Sequence, residues 1–396
     1  MQTVRKISDA IIYVGGDDRR TALFEGVYPI PDGVTYNSYL IVDEKTCLMD
    51  TVDKSIVELW LENLEYALGG RALDYVVVHH MEPDHSYSLM RLLEKYPDTK
   101  IVTNKKALDM IAQFFNADVS GRAVVVAEGG TLPLGAHELT FTMAPMVHWP
   151  EVMMSYEKTE KVMFTADAFG TFGALGGAIF ADEVDFERDY LDEARRYYAN
   201  IVGKYGVQVK SVLAKAAKLD IAMLCPLHGP VWRENLGLIL DKYAKWASYE
   251  PEEKGVCIVY GSIYGHTENM AIALAVKLRE RGVKTRVIDS STSHVSEIVA
   301  AAFRYDRLVF ASASYNGGAF VKMEDALHDL MAHAFQNRRV AIMQNGSWAP
   351  SAANTLKKIL EGAKNVELIE SVVTAKSALK PEQEPELDAL ADELAK

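Results

Sequence analysis

From Gly255 to its carboxyl end, the chain alternates regularly between strand-like and helix-like segments. The strand-like segments are apolar and β-branched, as in GVCIVYGS and RLVFASAS, and helix-period segments such as TENMAIALAVKLRERG lie between them. Because successive strands are joined by helical crossovers, this alternation predicts a parallel sheet with helices on both faces. The closing segment EPELDALADELAK is expected to be the terminal helix.

The first 250 residues mix strands and helices irregularly. Short β-rich runs such as LDYVVVHH, HELTFTMAPMVHW and KVMFTADAFG are interspersed with helix-period segments such as KSIVELWLENLEYAL. This pattern favours a sandwich of two sheets with outer helices. The pattern changes around YAKWASYEPEEKG, so the 396 residues are predicted to form two domains, residues 1–250 and residues 254–396.

The composition excludes several classes of partner. A formal net charge of −13 argues against nucleic acid or an anionic membrane as the main partner. The sequence has no apolar stretch of about 20 residues, which a membrane span requires, and its start lacks the pattern of a signal peptide. Cys47, Cys225 and Cys257 are scattered without a CxxC motif, which excludes a cysteine-ligated iron centre within this chain. We therefore expect a cytoplasmic protein.

A dense cluster of potential metal ligands, His80-Met81-Glu82-Pro83-Asp84-His85, follows the strand-like run YVVV. Because residues two apart on an extended chain point the same way, His80, Glu82 and Asp84 are expected to face one point. Pro83 is expected to prevent an early helix, and the following turn adds His85. Three more candidate ligands follow strand-like runs elsewhere, namely His148 in PMVHWP, Asp167 in FTADAFG and His228 in CPLHGP.

These seven residues together fit a site for two metal ions. One such residue alone more often satisfies a local hydrogen bond, but a convergent set of this size does not have that explanation. Four neutral imidazoles and three carboxylates carry a charge of −3, which balances the combined charge of two divalent ions and one hydroxide. Carboxylate-rich sites with imidazoles suit iron or manganese, whereas zinc hydrolase sites have more nitrogen ligands. Glu82 therefore favours redox iron over zinc hydrolysis.

Three loops of the second domain are candidates for a phosphate-bearing cofactor. The loop GSIYGHTENMA offers backbone N–H groups and hydroxyls at the start of a helix, and the absence of GxGxxG argues against a dinucleotide. The loops SASYNGGAF and NGSWAPS follow later strands, at the edge where open α/β sheets bind ligands. The candidate residues are Ser262, Ile263, Tyr264, Gly265, His266, Thr267, Ser314, Tyr315, Asn316, Gly317, Gly318, Gly346, Ser347 and Trp348.

The motifs HxExDH, HW, DAFG and HG, in this order and spacing, resemble those of the flavodiiron proteins, also called A-type flavoproteins, and the resemblance covers essentially the whole chain. It implies a metallo-β-lactamase-like αββα sandwich followed by a flavodoxin-like doubly wound sheet that binds FMN. Hydrolases of the first fold carry HxHxDH, so Glu82 separates the two families. The implied iron ligands are His80, Glu82 and His148 for one ion and Asp84, His85 and His228 for the other, with Asp167 bridging them.

The resemblance also implies a reaction. It is the reduction of dioxygen to water or of nitric oxide to nitrous oxide, with electrons from rubredoxin, a similar donor or a reduced deazaflavin. The implied assembly is a head-to-tail homodimer or a dimer of such dimers, which brings the FMN of one chain close to the di-iron centre of the other. Glu82, Asp167 and Tyr197 are the expected catalytic residues. Two alternatives remain, namely a zinc hydrolase with an appended flavodoxin-like domain and a non-catalytic FMN electron carrier.

The chain departs from the family pattern at three places. Glu25 in LFEGVYP and the pair Thr171-Phe172 stand where many relatives have a histidine and a Gln-His pair, and NGSWAPS replaces a loop closer to GxYGWxGG. The apolar Phe172, Ala174 and Leu175 should not hinder a small apolar gas, and the missing histidine removes one possible proton donor. These substitutions favour dioxygen as the preferred substrate.

Overall fold

The computed structural model describes residues 2–396, which divide into two compact units. The first unit comprises residues 2–198 and Val207–Tyr243, and the second comprises Ala199–Gly206 and Ala244–Lys396. The sequence boundary between residues 250 and 254 stays a prediction. Within residues 2–396, every helix is too short or too polar to cross a bilayer.

The first unit contains sixteen short strands and eight α-helices. Two of these helices, the seventh and the eighth, have one or more of their residues in the second unit. The strands are β1 Arg5–Lys6, β2 Ile11–Tyr13, β3 Gly16–Asp18, β4 Leu23–Phe24, β5 Tyr28–Pro29, β6 Val34–Tyr36, β7 Tyr39–Val42, β8 Thr46–Met49, β9 Tyr75–Val77, β10 Lys100–Thr103, β11 Ala123–Val125, β12 Thr131–Pro133, β13 Glu138–Met143, β14 Met153–Glu157, β15 Val162–Phe164 and β16 Met223–Cys225. The helices are α1 Val57–Leu68, α2 Pro83–Ser86, α3 Leu89–Lys95, α4 Lys105–Phe115, α5 Phe186–Asp189, α6 Leu191–Tyr197, α7 Gly206–Ala216 and α8 Leu236–Ala247.

Two sheets of the first unit share one hydrophobic core. The larger sheet has the order β1-β2-β7-β8-β9-β10-β11, and the smaller has the order β12-β13-β14-β15-β16. The core draws on both sheets, with Ile41 and Val102 from the larger one and Phe141 and Phe164 from the smaller one. Helices α1 and α4 contact the larger sheet. The predicted two-sheet sandwich is confirmed.

Parallel pairing brings several strand ends to the same edge of each sheet. In the larger sheet, β8, β9 and β10 run parallel, and the motif containing His80 follows β9. In the smaller sheet, β15 and β16 run parallel with Phe164 opposite Cys225, and Asp167 and His228 lie shortly beyond these residues. Loops at strand ends rest on a rigid scaffold, so the loops that follow β9, β15 and β16 are suited to hold functional side chains.

The expected extended run through Asp84 is wrong. Pro83 does not delay a helix but is the first residue of α2, and the helical turn Pro83–Ser86 carries Asp84 and His85. Proline is favoured at this position, because its fixed φ suits a helix and its missing N–H has no partner in the first turn. The turn directs Asp84 away from the group that contains His80 and Glu82.

The second unit is a five-stranded parallel sheet with one short strand added at the carboxyl end of its central strand. Its strands are β17 Glu253–Gly261, β18 Thr285–Asp289, β19 Tyr305–Tyr315, β20 Gly318–Ala319, β21 Arg339–Asn345 and β22 Glu367–Ala375, and its helices are α9 His266–Glu280, α10 Val295–Arg304, α11 Val321–Ala332, α12 Ala352–Leu360 and α13 Glu384–Ala395. The order β18-β17-β19-β21-β22 is that of a flavodoxin-like fold, with β20 pairing antiparallel to β19. The predicted parallel sheet and terminal helix are confirmed.

Candidate functional site

The structure brings the seven predicted ligands together in two groups of side chains. The first group comprises His80, Glu82, His148 and Asp167, and the second comprises Asp84, His85 and His228. Within each group, one potential ligand atom from every residue lies within 4.8 Å of the others. We call them the first group and the second group.

The separations within each group suit a shared metal ion. In the first group, Glu82 Oε2 lies 3.2 Å from His80 Nε2 and 3.0 Å from His148 Nε2. In the second group, Asp84 Oδ2 lies 3.2 Å from His85 Nε2 and 3.1 Å from His228 Nε2. Donor atoms about 2.0–2.2 Å from a common ion, at roughly right angles, stand about 3 Å apart.

Asp167 lies between the groups and presents one oxygen to each. Its Oδ2 is 3.2 Å from His80 Nε2, and its Oδ1 is 3.1 Å from His85 Nε2. The loop that carries Asp167 is held from α8, where the Tyr243 hydroxyl accepts a hydrogen bond from the Phe169 N–H at 2.5 Å. This is the arrangement that a bridging carboxylate requires.

The buried atoms of the site fit a pair of cations. Both carboxylate oxygens of Asp84 and both of Asp167 lack a hydrogen-bond partner among residues 2–396. Buried carboxylates are normally paired with donors or coordinate metals. These carboxylate oxygens lie close to imidazole nitrogens and have no hydrogen bonds. They therefore match the donor set of a metal centre.

Two of the three carboxylates draw positive charge towards the site, whereas burial raises the pKa of the third, Asp84, to about 8. Burial alone would raise the pKa of Glu82, but hydrogen bonds with His148 and His80 outweigh it and hold that pKa well below its usual value. Burial likewise opposes ionisation of Asp167, yet His80 and His85 keep its pKa well below the ordinary one. Conversely, burial would lower the pKa of His148, but Asp167 and Glu82 raise it to about 9.

Two of the imidazoles are oriented by acceptors at their Nδ1 atoms. His80 Nδ1 lies 2.7 Å from Glu151 Oε1, and His228 Nδ1 lies 2.7 Å from the Thr35 carbonyl oxygen. Each contact leaves the Nε2 atom facing its group. Sequence reasoning missed Glu151, Thr35 and Tyr243, because nothing in their spacing marks them as partners of the ligands.

An aromatic wall made by Phe24, Phe172 and Tyr197 stands beside the second group. The rings of Phe24 and Tyr197 have their centroids 5.2 Å and 5.5 Å from that of His228, and Phe172 packs edge-on against both. Gly170 permits this approach, since a Cβ there would lie 2.9 Å from the Tyr197 ring. Burial, with Asp167 and Asp84 nearby, raises the pKa of Tyr197 well above its ordinary value, so the phenol keeps its proton.

Glu25 reaches the first group from the tip of the β4–β5 hairpin, where its φ is 51°. Burial of its carboxyl group and the neighbouring Glu82 carboxylate raise the pKa of Glu25 to about 9, although the residue as a whole is exposed. The residue that departs from the family pattern therefore lies directly against a predicted ligand.

A cavity of about 490 Å³ in the second unit contains most of the predicted cofactor residues. Gly265 and Gly318 do not line it, whereas the other twelve do. Five further residues line it: Ala313, Asn345, Ala349 and Ser351 belong to the two later loops that the sequence indicated but were not singled out there, and Ser377 lies outside those loops. Small and polar residues of this kind gave no distinct signal in the sequence.

The cavity fits a phosphate joined to a flat ring. Helix α9 begins beside it, and its N-cap residue Gly265 (φ 90°) has no side chain to cap the first turn. The N-terminal N–H groups of a helix bind phosphate readily. Tyr264 and Trp348, each 91% exposed, line the same cavity and offer surfaces on which an isoalloxazine ring could stack.

Comparisons with known proteins match both units. Residues 34–229 match the family model "ODP family beta lactamase", and residues 258–388 match "Flavodoxin". The anaerobic nitric oxide reductase flavorubredoxin of Vibrio vulnificus is 30% identical over 382 residues, covering 95% of this chain and 76% of that protein. The nitric oxide reductase of Moorella thermoacetica is 31% identical over 366 residues, covering 92% of this chain and 90% of that protein.

A solved structure extends the likeness to the whole fold. The rubredoxin oxygen:oxidoreductase of Desulfovibrio gigas superposes with a TM-score of 0.92 at 28% identity, covering 99% of this chain and 98% of that one.

We predict that Asp167→Ala lowers the bound metal below two ions per chain, because both groups lose a shared carboxylate. FMN should remain bound, since its cavity lies in the other unit. Metal analysis and the visible flavin spectrum measure the two quantities. Asp182→Ala, which removes a carboxylate paired with Arg233, is the control and should leave both unchanged. Loss of FMN from Asp167→Ala would contradict independent sites.

Proposed function

The chain belongs to the flavodiiron proteins, and from this premise we propose which of its residues carry the family's reaction. It is an oxidoreductase that uses FMN and a di-iron centre to reduce dioxygen or nitric oxide, with electrons from a rubredoxin-type donor. The observation that carries the residue assignment is the position of Asp167, with one oxygen towards each of two donor groups.

We assign one iron to His80, Glu82 and His148 and the other to Asp84, His85 and His228, with Asp167 bridging them. The cavity of the second unit is assigned to FMN. When bound, FMN and the two irons together supply the four electrons that turn dioxygen into two waters, or the two that turn two nitric oxide molecules into nitrous oxide and water.

The protein's own side chains prepare the site for small gases. The aromatic wall covers the second group with apolar surface, which excludes water from that side. Tyr197 retains its phenolic proton there and is assigned a catalytic role as a hydrogen-bond donor to the substrate. Asp167 and Glu82 are assigned the roles of bridge and charge-setting ligand. The zinc hydrolase alternative is not favoured, because the named relatives are oxidoreductases.

We further propose a head-to-tail dimer or a pair of such dimers. The support is apolar exposure at both sites, with Leu23 and Val27 exposed on the hairpin that carries Glu25 and with Tyr264 and Trp348 exposed at the cavity. A second copy that covers one site with the other would remove both apolar surfaces from water.

The donor is proposed to dock at the cavity edge. Lys376 and Lys380 are exposed on either side of Ser377, which lines the cavity. On a chain of net charge −13, these two lysines offer cationic contacts to an acidic donor. A cytoplasmic location is supported by three cysteines that are all buried and unpaired, and cell fractionation tests it.

The function is tested by comparing turnover of dioxygen and nitric oxide by the iron- and FMN-loaded protein. Electrons are supplied in parallel experiments by reduced rubredoxin and by a reduced deazaflavin. We expect turnover of both gases, with dioxygen faster, because the wall at Phe172 is apolar and lacks a histidine proton donor. A much faster nitric oxide rate would overturn only this preference. Turnover of neither gas with either donor would overturn the function.

Glu82→His should yield a folded protein that still binds metal but no longer reduces either gas, because the added imidazole favours zinc and raises the charge of the site. Metal analysis and gas consumption are the measurements. Glu25→His, which makes the same replacement at a neighbouring residue outside the two groups, is the matched control and should keep its iron. Full turnover by Glu82→His with iron bound would refute the role of Glu82.

The dimer is tested by sedimentation equilibrium, where the mass should be at least twice 43.9 kDa. The double substitution Leu23→Asp with Val27→Asp should give monomers that retain FMN and iron but turn over slowly, because they lose the proposed contact between the FMN of one chain and the di-iron centre of its partner. Exchange of exposed Lys106 for Asp is the control. Undiminished turnover by monomers would rule out transfer between chains.

A further inference from the structure

We propose that Glu151 is a positioning residue that fixes the tautomer and ring orientation of His80, so that Nε2 is the atom offered to a metal. Glu151 follows His148 by three residues in the β13–β14 connection, and its side chain is completely buried. The inference rests on the proposed function, because the proposed function assigns a metal ion to His80.

One oxygen of Glu151 determines which nitrogen of His80 carries the proton. Glu151 Oε1 lies 2.9 Å from the Met81 backbone nitrogen and 2.7 Å from His80 Nδ1. A backbone N–H can only donate, so Oε1 acts as an acceptor towards Met81. An acceptor already facing one donor favours a second donor at Nδ1, which places the proton there and leaves the lone pair on Nε2.

Glu151 is itself held in place on two sides. Its backbone carbonyl accepts a hydrogen bond from Asn104 Nδ2 at 2.5 Å, and Asn104 also caps the first turn of α4. Its chain neighbours lead directly into β14, whose residues are all buried. The carboxylate is therefore anchored to the scaffold independently of any metal.

Within residues 2–396, neither imidazole of the second group has a carboxylate at its Nδ1 atom. His228 Nδ1 faces the carbonyl oxygen of Thr35, and His85 Nδ1 has no hydrogen-bond partner among residues 2–396. A carboxylate behind a ligating imidazole orients the ring and raises its basicity. The first group thus depends on Glu151 for one of its ligands, whereas the second group does not contact it.

The test compares metal retention by three full-length variants under increasing concentrations of a chelator, starting from two Fe(II) per chain. Glu151→Ala should bind one of its two Fe(II) about 10–100-fold more weakly, while the other is held as in the unsubstituted protein. Glu151→Gln should restore most of this affinity, because the Met81 N–H draws its carbonyl oxygen into the place of Oε1 and the acceptor for His80 is kept. Asp43→Ala is the matched control, since Asp43 lies 2.7 Å from Nδ1 of His137, outside both groups, and it should retain both ions.

A spectroscopic readout separates positioning from general stability. The ligand-field absorption of bound Co(II) should change in Glu151→Ala and return towards the original spectrum in Glu151→Gln. Two retained ions of unchanged affinity in Glu151→Ala, or equal weakening in Glu151→Gln, would overturn the inference. Failure of the unsubstituted protein to take up Fe(II) would count against the proposed function instead, and the Co(II) comparison would still decide the role of Glu151.

Discussion

The first unit depends on a single electrostatic constraint, which is that three carboxylates lie buried within two adjacent groups of donor side chains. Glu82, Asp84 and Asp167 are removed from water, and the oxygens of the last two have no hydrogen-bond donors within residues 2–396. Leaving such charges uncompensated costs several kcal/mol each. Positive charge at the centre of the donor groups relieves this cost, so the metals and the local structure are expected to stabilise each other.

The fold satisfies this constraint by bringing together loops from two sheets, each of which carries some of the donor side chains. Strand β9 leads to His80 and Glu82, whereas β15 and β16 lead to Asp167 and His228. Neither sheet carries a complete donor set, so the site exists only when the two sheets share their core. The oxygens of Asp167 then join the groups, which explains why a redox centre of two ions can be built on a scaffold that hydrolases also use.

The sequence predicted the parts that depend on periodicity and on dense motifs. Regular alternation gave the parallel sheet of the second unit, and the HxExDH cluster indicated a metal site. The sequence could not show that Pro83 starts a helix, because proline both ends extended runs and begins helices. It also missed β14, and it missed Glu151 because the role of that residue depends on a tertiary contact with His80.

Anomalous X-ray diffraction at the iron absorption edge tests the central claim most directly. Crystals of the protein loaded with Fe(II) and FMN should show two anomalous peaks, one within each donor group, with an oxygen of Asp167 directed at each peak. A single peak, or peaks that appear at the zinc edge after the protein has reduced dioxygen or nitric oxide, would contradict the account.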